Sequence, residues 1–183
     1  MRSFMSRVTR LLILAAIVLV GAAITLYLMG GRTRQFSSQV TISAPRSLIF
    51  QFLTDAERLQ RWAGSGAKIQ PQGEAGHQVG TKWHLTIAAN GTRWEFDSEV
   101  LETSADERLI RALSGPHLEA RSDFRLDEQG QVTTLRHSLS LTPKGWARFV
   151  APFSRDQIQR QLDAGLSQLK QAIEQEAQRA PTH

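Results

Sequence analysis

Histidine is the residue type in this chain best suited to acid–base chemistry or metal binding. The histidines form no H-E-x-x-H motif and no i, i+4 pair on a helix, and the chain has no cysteine. No local pattern therefore supports a metal site. Glycine-rich phosphate loops and a G-x-S-x-G nucleophile turn are also missing from the sequence. We therefore expect no metal and no cofactor. The five histidines are His77, His84, His117, His137 and His183.

His137 is the histidine most favourably placed for a functional role. Side chains two residues apart on a strand share one face, so the imidazole lies on the same face as Leu135, Leu139 and Leu141. If that face is concave, the ring points into the interior, where burial lowers the pKa of an imidazole. Two interpretations stay open: a proton-transferring or ligand-contacting group, and a core histidine that hydrogen-bonds a neighbouring hydroxyl.

Arg111 is a second candidate, because it shares one strand face with Leu109 and Leu113. If this face is turned inward, the guanidinium needs a carboxylate or a ligand anion as its partner. If the face is turned outward, Arg111 is an ordinary solvated arginine. Sequence alternation leaves both orientations open, because the neighbouring Ile110 and Ala112 are apolar as well.

Large apolar side chains on the predicted inner face form a candidate ligand wall. Their first role is to pack in the core, but in a helix-over-sheet domain the same face lines any cavity that is left open. The acidic residues Glu95, Asp97 and Glu99 alternate with this face and are expected on the wet side of the sheet. The predicted wall consists of Trp83, Trp94, Phe96, Phe124 and Leu139, with His137 and Arg111 as its polar groups.

The elements that must position these residues follow from hydrophobic periodicity. Residues 81–141 alternate with period two and predict five consecutive antiparallel strands, the first two joined by a tight turn at Asn90-Gly91. A strand over residues 36–43, two short helices over 45–62 and an edge strand over 67–70 are expected before them.

A long amphipathic helix is predicted at the C-terminus. Its apolar residues recur at spacings of 4, 4, 3 and 4 and form one stripe. The sequence therefore predicts an α+β domain in which a curved antiparallel sheet wraps around this helix. The stripe consists of Ile158, Leu162, Leu166, Leu169 and Ile173.

The N-terminal region predicts a membrane anchor. Residues 11–29 contain no charged side chain, and as a helix they span roughly 28 Å, close to the thickness of a bilayer core. A cleaved signal peptide is the alternative, but no small-x-small cleavage site follows. Because Arg2, Arg7 and Arg10 precede the apolar run, the N-terminus is expected in the cytoplasm and the domain outside it.

The predicted organisation follows from this anchor. A basic flank over residues 1–10 and the anchor over 11–29 lead through a linker over 30–34 to a domain over 35–178, which ends in a tail over 179–183. The three N-terminal arginines account for three of the five net positive charges, and the remainder of the chain carries +2. This small, dispersed charge predicts no binding to nucleic acid.

Two segments resemble a known family. The first is V-T-I-S-A-P at residues 40–45, and the second is L-I-F-Q-F-L-T-D at 48–55, which Trp62 follows. Together they resemble the SRPBCC (START-like) superfamily in its polyketide cyclase/dehydrase and lipid-transport group. The resemblance covers about residues 35–176. It implies a helix-grip fold, here preceded by the predicted transmembrane helix, and a scaffold that does not by itself specify chemistry.

The leading functional expectation is a domain that binds an apolar small molecule or a lipid between sheet and helix. An enzyme of the cyclase/dehydratase type, acting on a carbonyl-containing substrate, is the first alternative. A structural component of a membrane assembly, with a filled core, is the second. A cavity of about 300 Å³ or more with a polar wall favours binding or catalysis over the structural role.

Overall fold

A seven-stranded antiparallel sheet is the central element of the structure. The computed structural model describes residues 2–63, 67–73, 76–89 and 92–179, so the predicted Asn90-Gly91 turn lies outside the described residues. The sheet order is β1-β7-β6-β5-β4-β3-β2, and the first strand therefore pairs with the last one. The strands are β1 (Arg34–Ile42), β2 (Ala67–Gln72), β3 (Lys82–Ala89), β4 (Thr92–Ser104), β5 (Arg108–Ser114), β6 (Leu118–Gln129) and β7 (Val132–Pro143).

Two short helices connect β1 to β2. They are α2 (Arg46–Thr54) and α3 (Ala56–Ala63), which meet at Asp55. The Asp55 carboxylate accepts hydrogen bonds from the backbone N–H groups of Glu57 at 2.9 Å and Arg58 at 3.0 Å. These are donors that the first turn of a helix cannot satisfy itself, so Asp55 caps α3.

The C-terminal helix packs on one face of the sheet. After α4 (Ala147–Val150) and a short 3₁₀ turn, α5 runs from Arg155 to Arg179. Leu166, Leu169 and Ile173 are buried in the same cluster as residues from the inner face of the sheet. An α+β fold with a helix laid across an antiparallel sheet agrees with the predicted helix-grip architecture.

The apolar stripe of α5 is buried unevenly. Leu169 and Ile173 are fully buried, whereas Ile158 and Leu162, nearer the start of the helix, are only partly buried. The C-terminal half of α5 therefore closes the core. The N-terminal half lies over space that side chains leave unfilled, and this space forms a cavity.

The first helix, α1 (Arg2–Gly30), requires a correction. In the part of the chain that the structure describes, no helix combines the length and the apolar character that crossing a membrane demands. This finding contradicts the predicted transmembrane helix over residues 11–29 and the single-pass membrane localisation based on it. The end of α1 packs against the domain. The rings of Tyr27 and Phe149 have centroids 5.4 Å apart, and the Arg148 guanidinium lies 4.8 Å from the Tyr27 ring. The apolar composition of the segment does not predict this contact.

Candidate functional site

A cavity of about 480 Å³ lies between the inner face of the sheet and α5. Its wall is mostly apolar because strand residues two positions apart project to the same side, here Leu85 with Ile87 and Arg111 with Leu113. The volume exceeds the roughly 300 Å³ at the lower end for small-molecule sites. The aliphatic lining consists of Leu53, Leu59, Ala67, Ile69, Leu85, Ile87 and Leu113.

Three residues of α5 form the opposite side of the cavity. Gln161, Gly165 and Gln168 lie at spacings of four and three, so they share one face of the helix. A Cβ atom added to Gly165 would have no neighbour within 4 Å in the part of the chain that the structure describes. The glycine therefore leaves unfilled space that any larger side chain would occupy.

His137 lies on the wall formed by β6 and β7. Its ring stacks on the ring of Phe124, its register partner across the strands, with centroids 4.0 Å apart and planes at 17°. Burial lowers the pKa of His137 to about 4, although the charge of Asp123 acts in the opposite direction. The imidazole is therefore neutral at pH 7. Its Nε2 atom is buried and, among the described residues, has no hydrogen-bond partner.

Arg111 also points into the cavity, which decides between the two orientations that the sequence allows. Its Nη2 donates a hydrogen bond of 2.7 Å to the backbone carbonyl of Leu53, in the last turn of α2. Burial lowers the pKa of Arg111 to about 10, which leaves the guanidinium protonated at neutral pH. Its Nε atom is buried without a hydrogen-bond partner in the described part of the chain.

Two buried hydroxyl groups lie on the strands that flank Arg111. Ser122 on β6 is the register partner of Arg111, and Ser98 on β4 is the partner of Leu113, two residues further along β5. Both serines line the cavity. Directly paired residues such as Ser122 and Arg111 have Cβ atoms about 5 Å apart, and diagonal neighbours such as Ser98 and Arg111 about 7–8 Å, so the serines and Arg111 form one polar area within an otherwise apolar wall.

The structure brings together three of the predicted site residues, since His137, Arg111 and Phe124 all line the cavity. Trp83 is a core residue instead: it is 1% exposed, and its ring lies 5.9 Å from the Arg111 guanidinium. Trp94 packs beyond the cavity, with ring centroids 6.0 Å from His117 and 6.4 Å from Trp146.

Phe96 and Leu139 line other, smaller depressions. Phe96 covers Gly115, where an added Cβ would approach the phenyl ring to 2.6 Å. Leu139 lines a largely polar depression near Gln35 and Ser37. Both residues lie on the strand face that the alternation predicts. Because a strand extends beyond the cavity, a residue on the inner face of the sheet does not always line the cavity.

Sequence reasoning missed the contributions of the helices and of the edge strand. Leu53 and Leu59 come from α2 and α3, and Ile69 comes from β2. Helical spacing predicts that Leu53 is buried, but it does not predict that Leu53 lines the cavity. Gly165 carried a usable signal, because a glycine within an amphipathic helix costs stability and calls for an explanation.

On the outer face of the sheet, the carboxylate of Asp97 pairs with a glutamine and a histidine. Asp97 accepts a hydrogen bond from Gln72 at 2.9 Å and lies 2.9 Å from Nδ1 of His84, with both carboxylate and imidazole at the surface. The hydrogen bond with His84, followed by that from Gln72, lowers the pKa of Asp97. No cluster of three or more metal-ligating side chains occurs among the residues that the structure describes.

Comparison with solved structures shows the same fold at low sequence identity. The Mll3558 protein from Rhizobium loti superposes with a TM-score of 0.62 at 16% identity, over 77% of this chain and 97% of that one. The TTHA0849 protein from Thermus thermophilus gives 0.64 at 14% identity, over 81% and 100%. CalU16 from Micromonospora echinospora gives 0.55 at 20% identity, over 82% of each chain. At these identities the likeness shows the fold alone.

Comparison of sequences identifies the family. No curated protein matches this chain. Residues 33–174, however, match the family described as polyketide cyclase / dehydrase and lipid transport. This match extends over most of the chain and agrees with the resemblance carried by residues 40–55. The chain belongs to the polyketide cyclase / dehydrase and lipid transport family.

Proposed function

We propose that this protein binds an apolar small molecule or a lipid in the cavity between the sheet and α5. The observation that carries the proposal is the cavity itself, with about 480 Å³ of space, aliphatic side chains on most of its wall and a small polar area. Burial of apolar surface provides roughly 25 cal/mol per Å², so a largely aliphatic wall selects a ligand with an apolar body. Few, localised polar groups then fix its orientation.

The cavity also argues against a purely structural role. A domain that only supports an assembly gains stability from a filled core, because empty space lined by side chains costs about 24 cal/mol per Å³ of cavity. Gly165 leaves space open where an added methyl group would meet no neighbour among the described residues. Retained space with this composition is what a binding function requires.

A cyclase/dehydratase-type enzyme acting on a carbonyl-containing substrate is the second candidate. Its specific support is the unpaired Nε2 of His137 in the cavity, from which an imidazole could accept a proton. However, a general base works best when its pKa lies near the working pH, and burial lowers the pKa of His137 to about 4. We therefore favour binding over catalysis.

Two measurements on the full chain test the binding proposal. Native mass spectrometry of freshly purified protein detects a co-purifying ligand as added mass. Titration with N-phenyl-1-naphthylamine, a neutral dye that fluoresces in apolar environments, measures how many dye molecules the cavity binds. We expect saturable binding of about one dye per chain.

A matched pair of variants locates the dye. Gly165→Phe introduces a ring where the cavity is open, and we expect it to abolish saturable binding. Ala164→Phe places the same ring on the exposed side of the same helical turn and should leave binding unchanged. Equal binding by both variants would refute the proposal, because the dye would then bind outside the cavity.

A further inference from the structure

The strongest unexplained feature of the cavity is the largely buried positive charge of Arg111, which has no counterion among the residues that the structure describes. Among the described residues that line the cavity, Arg111 is the only charged side chain. Ion pairs found elsewhere in the described structure involve other arginines, such as Arg108 with Asp123 at 2.8 Å. A buried, unpaired charge carries a desolvation cost of several kcal/mol unless a partner of opposite charge or several hydrogen bonds offset it.

The protein itself satisfies only part of the hydrogen-bonding capacity of this guanidinium. An arginine offers five N–H donors in a planar fork. One nitrogen, Nη2, donates to the Leu53 carbonyl, where the partial negative charge at the C-terminal end of α2 favours a cation. The Nε atom remains buried and has no partner within the described residues.

Neighbouring donors make the deficit larger. The Nε1 atom of Trp83, whose ring lies 5.9 Å from the guanidinium, is also buried and without a partner among the described residues. The hydroxyl groups of Ser98 and Ser122 on the flanking strands can donate as well. Among the described residues, the surroundings of Arg111 thus offer several hydrogen-bond donors and no negatively charged acceptor.

We infer that the ligand is an amphiphile with a carboxylate group, which pairs with Arg111 while its apolar part fills the aliphatic end of the cavity. This inference rests on the proposed binding function and names its ligand class. A planar carboxylate matches the fork of a guanidinium and can also accept from the serine hydroxyls. Hydrogen bonds to charged partners contribute more than neutral ones, so the head group should dominate selectivity.

The test compares two ligands of equal chain length on the full chain at pH 8, where decanoate is ionised. Decanoate and 1-decanol each compete with bound N-phenyl-1-naphthylamine. We expect decanoate to displace the dye at a concentration at least about tenfold lower, which corresponds to about 1.4 kcal/mol. Without a buried cation the order should reverse, because an ionised head group is costly to bury. Stronger displacement by 1-decanol would therefore overturn the inference.

Variants at Arg111 identify the cation responsible. Arg111→Met removes the charge and should abolish the preference for decanoate while displacement by 1-decanol stays within about threefold. Arg121→Met, an exposed arginine on the neighbouring strand β6, is the control and should keep the preference. Arg111→Lys retains a charge and should retain a preference, which serves as the readout if Arg111→Met does not fold. A preference for decanoate that survives Arg111→Met, or that is unchanged in Ser122→Ala where Arg111→Met does not fold, would contradict the inference.

The outcomes separate this inference from the proposed function. If the dye binds and both decyl compounds displace it equally, the binding function stands and the carboxylate assignment fails. If the dye does not bind, or binds equally well to Gly165→Phe, the proposed function itself fails.

Discussion

The imidazole of His137 stacks on the phenyl ring of Phe124, with centroids 4.0 Å apart and planes 17° from parallel. The two residues are register partners on β7 and β6. This pairing buries the imidazole in an apolar environment that favours its neutral form and so makes the stability of the domain depend on pH.

The first prediction is a loss of stability in mild acid. The unfolded chain has a histidine pKa near 6.5, whereas burial holds the pKa of His137 at about 4 in the folded state. Between these values the unfolded state binds the extra proton. The contribution of His137 is therefore fully present above pH 6.5 and is lost as pH falls towards 4, by on the order of 3 kcal/mol.

Chemical denaturation at a series of pH values measures this loss. His137→Phe keeps a ring against Phe124 but cannot titrate, so its free energy of unfolding should fall less steeply than that of the unmodified chain in this range. His117→Gln, which removes an imidazole that accepts a hydrogen bond from the indole of Trp146, is the control and should follow the unmodified chain. Identical slopes for His137→Phe and the unmodified chain would disprove the assignment.

The second prediction concerns the contact between helix and sheet. Leu166 is 4% exposed and lies in the main core cluster. Leu166→Ala should lower the free energy of unfolding by about 2–5 kcal/mol, since it removes buried methyl groups and leaves a void. Gln171→Ala on the exposed side of α5 should change it by about 0.5 kcal/mol or less. Similar losses in both variants would mean that α5 does not cover the sheet.

The third prediction separates stability from function at Gly165. An alanine in the interior of a helix is favoured over glycine by roughly 0.5–1 kcal/mol, and the added methyl group meets no atom within 4 Å. Gly165→Ala should therefore raise the free energy of unfolding while it weakens binding of N-phenyl-1-naphthylamine. A variant that is more stable and binds the dye more tightly would contradict the role of Gly165 in holding the cavity open.

The fourth prediction concerns the end of α1. A Cβ atom at Gly30 would lie 1.6 Å from the carbonyl oxygen of Arg148, so Gly30→Ala cannot keep the present packing of α1 against α4. Limited trypsinolysis after Arg32 should become faster as this contact opens. Gly21→Ala is the control, because no atom lies within 4 Å of the added methyl group. Equal cleavage rates in both variants would show that the contact does not protect the segment.

The sequence alone determined the elements of the sheet-and-helix domain and the faces of strands such as β7. Alternation along β7 put His137 on the same side as Leu135, and the stripe on α5 predicted a helix packed on a sheet, because main-chain geometry fixes periods of two and of about 3.6 residues. The segments at residues 40–55 identified the family. These inferences depend on local geometry and short-range spacing, which a single sequence contains.

Tertiary structure decided where the unfilled space lies and which side chains border it. Arg111 has apolar neighbours on both sides in sequence, so only the assembled sheet shows that it points inward to the Leu53 carbonyl. Trp94 shares the inner face but packs on His117 and Trp146, beyond the cavity. A cavity is the space that remains after distant segments have packed together. Its position depends on the lengths and mutual placement of α2, α3 and α5, which periodicity along one segment cannot supply.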